Sequence, residues 1–194
     1  MSSLNSRNLV VVTSKIERWK EPVAACINLA YTVLYLRASA WAFPVAAIGA
    51  LMFARLCWNR KMLAEFGLWL FYIGFAVYGW FTASSSWPDA WHAPLWAHGA
   101  SAAGIAVGAW FLAKALRHWG ETESPFLDAF TTVGSLVATG WMLAFDPVNW
   151  WYWIVINLAA VVLYWRNGMK WGALLFALYA LLALEGWFNW FTWL

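Results

Sequence analysis

Seven apolar stretches, each near the ~20 residues a helix needs to cross a bilayer, follow one another closely, at about 19–37, 41–58, 62–83, 93–116, 126–145, 149–166 and 171–192. Hydrocarbon offers no partner to a backbone N–H or C=O, so such a chain must satisfy those groups within each segment, as helices do. An all-α integral membrane protein with seven transmembrane helices is therefore expected. Composition agrees, with 64% hydrophobic and 11% charged residues in a chain of 194. The remaining segments are too short for a soluble domain of even ~50 residues, so any substrate must be handled within or at the membrane. The segment 1–18 does not read as a cleavable signal peptide, because the apolar run Leu9 to Val12 is short and lacks a small-residue cleavage site. It is expected to be retained.

Lys and Arg that flank short loops stay on the cytoplasmic side. With the N-terminus inside, Arg7, Lys15, Arg18, Lys20, Arg55, Arg60, Lys61, Lys114, Arg117, Arg166 and Lys170 are all cytoplasmic, and of the 12 basic residues only Arg37 lies outside. Losing one span would move every later loop to the wrong face, so the same bias supports the count of seven. The expected location is the cell's inner (plasma) membrane, multi-pass, with the N-terminus cytoplasmic and the C-terminus outside. The net charge of +3 follows from this topology and calls for no nucleic-acid partner. Cys26 and Cys57 fall toward cytoplasmic helix ends and read as packing residues. His92, His98 and His118 are too scattered for a metal site, and neither metal nor cofactor is expected.

An internal repeat emerges at an offset of 107 without gaps. Trp58 falls on Trp165, Met62 on Met169, Leu68 on Leu175, Tyr72 on Tyr179, and Gly79-Trp80-Phe81 on Gly186-Trp187-Phe188. Glu21, Asn28 and Thr32 fall on Asp128, Ser135 and Thr139, so a polar stripe at helical spacing recurs on the first helix of each half. Three helices within 19–83 and three within 121–194 form the repeats, and one helix within 84–120 connects them. This 3+1+3 plan puts both three-helix bundles in the same orientation, related by an axis along the membrane normal. Transporters built this way hold their site near the midplane between the halves.

On a helix, Trp150-x-x-Trp153-x-x-x-Asn157 projects two indoles and an amide from one face. That face suits a flat ligand with a polar edge. This motif, the stretch Ser124 to Thr139, and Phe71-Tyr72 followed by Tyr78-Gly79-Trp80 together resemble the Pnu vitamin transporters over nearly the whole chain, least between 84 and 120. The resemblance implies a SWEET-like 3+1+3 architecture and facilitated diffusion of nicotinamide riboside, thiamine or riboflavin. It also implies a cytoplasmic kinase that phosphorylates the vitamin and traps it. One departure bears on specificity. Many relatives carry Gln after a Leu shortly before the Tyr-Gly-Trp segment, where this chain has Leu68-Trp69 and contains no glutamine. Reading a carboxamide would then fall to Asn157 or Asn189.

Nicotinamide riboside and thiamine are planar cations, and an indole face attracts such a cation by ~0.5–2 kcal/mol. Trp150, Trp153 and Trp187 are the candidate walls, Asn157 meets the polar edge, and Thr132 and Ser135 meet hydroxyls or ring nitrogens. Asn28, Trp69 and Tyr72 complete the candidate substrate-binding set. Glu185, the acid placed deepest in a span, is a functional candidate by default, either as a counter-ion to the ligand or as a group that reaches outer water or bonds a neighbouring helix. Most other tryptophans read as an interfacial belt. Glu21, Asp128 and Glu65 begin their helices, where a carboxylate favours the positive end of the helix dipole. An enzyme is the rival class, yet no acid and histidine share one face and no phosphate-cradling glycine loop is present. No catalytic residue is assigned. The expected partners are a small-molecule vitamin, the lipid bilayer and the trapping kinase, with a homo-oligomer left open.

Overall fold

The structure, a computed structural model, describes residues 3–37, 39–82, 92–119 and 123–188, with side chains from Trp19 onward except those of Leu36, Thr82 and Trp119. Its elements are α1 (Ser3–Leu36), α2 (Ala42–Asn59), α3 (Leu63–Thr82), α4 (Leu95–Trp119), α5 (Pro125–Leu143), α6 (Asn149–Arg166) and α7 (Lys170–Phe188). Among the described residues, five of these helices, α2, α3, α4, α5 and α7, are long and apolar enough to cross a membrane. α6 matches α2 in length at 18 residues, but its Trp and Tyr rings carry polar N–H and O–H groups that lower its mean hydropathy. One expected boundary is corrected. The first helix begins at Ser3 rather than near residue 19, because residues 3–21 contain neither Gly nor Pro to stop it.

Six helices close a ring. α1 packs on α2, α2 on α3, α3 on α5, α5 on α6, α6 on α7, and α7 returns to α1. α4 lies outside the ring against α5, touching α3. The outward surface is apolar, with Leu51, Phe111, Val155 and Leu181 all more than half exposed, whereas Asn28, Glu65, Asp128, Ser135 and Asn157 are buried inside. That inversion of the water-soluble pattern is what a lipid environment demands.

Helix bounds and turns recur at the 107-residue offset. Ala42–Asn59 and Asn149–Arg166 coincide under it, and Leu36 falls on Leu143. α2 and α6 end in the same Schellman turn. Lys61 (φ 60) and Gly168 (φ 71) take the left-handed position. The amides of Met62 and Met169 reach back to the carbonyls of Cys57 and Tyr164 at 3.0 and 2.8 Å. Residues 107 apart also touch one another. The Cys57 sulfur lies 3.5 Å from the Tyr164 hydroxyl, and the Arg60 guanidinium donates to the Asn167 carbonyl at 2.6 Å. α2 and α6 thus meet across the ring at the end that carries the α2–α3 and α6–α7 turns.

Candidate functional site

Halfway along the ring lies a layer of hydroxyls contributed by four helices. The Tyr179 hydroxyl of α7 donates to the Asn28 carbonyl of α1 at 3.2 Å, with the Thr32 hydroxyl 3.3 Å away. In the counterpart position Tyr72 of α3 faces the Thr139 and Ser135 side chains of α5, where the Thr139 hydroxyl donates to the Ser135 carbonyl at 2.7 Å. Tyrosine is suited to this place because its ring adds apolar area while its tip keeps a hydrogen bond. Close by on α5, the buried Thr132 hydroxyl has no protein partner. Buried hydroxyls are normally satisfied, so Thr132 is equipped to meet a ligand or a water.

Beneath this layer, toward the α2–α3 turn, the interior is aromatic. Trp69 stacks on Phe53 with ring centroids 4.8 Å apart and planes at 14°, and it meets Tyr72 edge-on at 5.8 Å. Phe176 closes the floor against Tyr164 at 4.6 Å. The Trp69 indole donates to the Tyr164 hydroxyl at 2.8 Å, which in turn donates to Glu65 at 2.9 Å. These rings are packed on one another directly below the hydroxyl layer, with Phe53, Trp69 and Tyr164 buried.

Asp128 and Glu65 lie in the first turns of α5 and α3, as the helix-dipole reading expects, whereas Glu21 lies inside α1. Asp128 caps α3 rather than its own helix, accepting the amides of Ala64 and Glu65 at 3.1 and 2.9 Å. Glu21 likewise caps α7, accepting Trp171 and Gly172 at 2.7 and 3.0 Å. Both are genuine N-terminal caps, but each crosses to the other half of the chain. Side-chain reach from a neighbouring helix is invisible in a linear pattern. At the opposite end, Asp146 orders the α5–α6 turn by accepting the amides of Ala93 and Val148 at 2.8 and 2.9 Å and facing the His98 ring at 3.3 Å. Burial acts to raise its pKa, but those amides and the His98 and His92 imidazoles prevail and hold it below the ordinary aspartate value.

Comparison with known proteins decides the family. Residues 18–192 match the family described as nicotinamide mononucleotide transporter. The chain belongs to that family. Within the nicotinamide mononucleotide transporter family, a relative is the riboflavin/roseoflavin transporter RibM of Streptomyces davaonensis, 27% identical over 188 residues that span 92% of this chain and 87% of RibM. The fold is that of the vitamin B3 transporter PnuC, whose crystal structure matches with a TM-score of 0.70 and 20% identity, covering 97% of this chain and 87% of that one. The protein is accordingly a multi-pass membrane transporter and not an enzyme.

For this member of the nicotinamide mononucleotide transporter family, the structure brings Trp69, Tyr72, Ser135 and Asn28 together around the hydroxyl layer, with Thr132 nearby on α5. Asn157 is buried at 4% exposure and Trp153 half-buried on α6. Trp150 lies over Gly186, where a Cβ would collide with the indole, so its ring packs α6 onto α7. Phe43 does the same over Gly79 on α2 and α3. Trp187 is 37% exposed and edge-on to Trp151 at 5.5 Å, two turns beyond the tyrosine layer. Glu185 is buried toward the same end of α7. Asn189 lies outside the described residues. Sequence reasoning did not assign Thr32, Thr139, Tyr164, Tyr179, Phe53 or Glu65 to the site. The repeat offset carried the signal for Tyr179, Thr32 and Thr139, whereas Tyr164, Phe53 and Glu65 meet from α6, α2 and α3 through side-chain contacts between the halves, which no sequence pattern announces.

Proposed function

We propose that the protein is a facilitative carrier for a B-vitamin precursor made of a flat ring on a hydroxylated chain, with nicotinamide riboside as the first reading. The observation that carries it is the layer of Tyr72, Tyr179, Asn28, Ser135, Thr32 and Thr139 above the rings of Trp69, Phe53 and Phe176. Hydroxyls meet the sugar-like chain, aromatic faces meet the ring, and Thr132 offers an unused hydrogen bond. Asn157, Trp153 and Glu185 extend the site toward the far end of the ring. Riboflavin is a second reading, favoured by the likeness to RibM. Its chain is also polyhydroxylated, and its larger neutral ring calls on stacking rather than on cation–π attraction.

In this reading all seven helices span the membrane, and two three-helix units, 19–83 and 121–194, pack in parallel about an axis along the membrane normal, with α4 as connector in 84–120. Matching bounds and the contacts between residues 107 apart support that plan. The basic residues put the α2–α3 and α6–α7 turns in the cytoplasm. Alternating exposure of the central layer moves substrate down its gradient, and cytoplasmic phosphorylation keeps the gradient inward.

Titrating nicotinamide riboside, riboflavin and thiamine into purified protein while following tryptophan fluorescence tests the reading. Quenching by one vitamin, lost in Tyr72→Phe and Trp153→Ala, is the expected result; silence with all three counts against it. Counterflow in vesicles is expected to persist with a protonophore, and its abolition would contradict an uncoupled mechanism.

A further inference from the structure

Between the hydroxyl layer and the α2–α3 turn the ring is shut. Tyr164 stands at the centre of the closure. Its hydroxyl accepts the Trp69 indole at 2.8 Å, donates to Glu65 at 2.9 Å and touches the Cys57 sulfur at 3.5 Å. One hydroxyl can donate once and accept twice, so this one is saturated. Tyr164 and Cys57 are 0% exposed, Glu65 1% and Trp69 5%. Below them Met62 and Met169, both 0% exposed, and the bond from Arg60 to the Asn167 carbonyl close the remaining layer. With these side chains buried and bonded to one another, the layer leaves no passage for a vitamin.

The closure is built once, not twice. At the 107-residue offset Tyr164 corresponds to Cys57, Trp69 to Phe176, and Glu65 to Gly172, so the network has no mirror copy: Phe176 and Gly172 lack the indole N–H and the carboxylate, and Cys57 joins only as the sulfur beside the Tyr164 hydroxyl. The glycine is what makes room, since a Cβ at 172 would run into the Tyr164 ring. The network also crosses the halves, holding α6 to α3 and α2 at the seam where the two must part for substrate to leave. A carboxylate this deep is stable only while partnered or wet. The arrangement thus has two satisfied states, one closed on Tyr164 and one open to water.

We propose that Tyr164, Glu65 and Trp69 form the latch of the inner gate, whose release opens the central site toward the α2–α3 and α6–α7 turns. This rests on the carrier reading above. The latch has a built-in reporter, because Cys57 sits in it and Cys26, the other thiol, is exposed on α1. In a Cys26→Ser background, alkylation of Cys57 by N-ethylmaleimide in inside-out vesicles reads the opening of the gate.

Tyr164→Phe keeps the ring and removes the hydroxyl. The alkylation rate is expected to rise at least about tenfold, the ratio that follows from losing a hydrogen bond to a charged group. Glu65→Gln, which keeps the shape without the charge, is expected to shift the rate the same way and stands in should the first variant fail to fold. In the Cys26→Ser protein itself, nicotinamide riboside, riboflavin or thiamine, whichever quenches its fluorescence, is expected to change the Cys57 rate, which a merely structural network would not do. The two readings fail separately. Absence of quenching by nicotinamide riboside, riboflavin and thiamine alike counts against the carrier, whereas a Tyr164→Phe or Glu65→Gln rate equal to the parent's, or vitamin binding that leaves Cys57 unmoved, overturns the latch.

Discussion

Thr132 is the residue whose chemistry is least explained by the protein around it. Its hydroxyl is buried without a partner, whereas its neighbour Thr131 bonds the carbonyls of Leu127 and Asp128 at 3.0 and 3.1 Å. An unmet hydroxyl in an apolar setting costs ~1–3 kcal/mol, so Thr132→Val is expected to leave thermal stability unchanged or raised. If the vitamin is what meets that hydroxyl, the same variant weakens binding by about tenfold. Thermal unfolding and fluorescence titration of one preparation check both halves, and a loss of stability without a loss of affinity would assign Thr132 to packing. Thr132 was legible in the sequence because it lies on the polar face of α5. Its neighbour in function, Tyr179, was signalled only by its repeat partner Tyr72, because tyrosine on a membrane helix reads equally well as an interfacial anchor.

At the scale of elements, the helices themselves were the most legible part, since length and hydropathy decide them and little competes in an apolar solvent. α2 and α6 fall within one residue of the stretches read from sequence, at Ala42–Asn59 and Asn149–Arg166. The caps were not legible, because Asp128 and Glu21 act on helices 64 and 150 residues distant. Removing such a cap leaves buried amides unanswered, so Asp128→Ala is expected to destabilise by ~1–3 kcal/mol. Hydrogen exchange is the sensitive measurement. Faster exchange confined to the first turn of α3, around Ala64 and Glu65, is expected; uniform acceleration across the ring would mean that Asp128 supports more than the cap.

At the scale of the whole molecule, the proposed orientation has a direct check. A reporter active only outside the cytoplasm, fused after residue 194, is expected to be active, and one fused in the α2–α3 turn inactive; the reverse pattern would invert the inner gate to an outer one. The ring order could not be read from sequence, since apolar faces that pack on lipid and on helices look alike without a hydrophobic drive between helices. The crossed caps bear also on biogenesis. The amide of Ala64 is answered by a carboxylate 64 residues later, and a ribosome adding ~5–20 residues per second needs several seconds to deliver it. During that interval the start of α3 lacks its cap, a window in which membrane chaperones can hold the nascent chain and proteases can discard it.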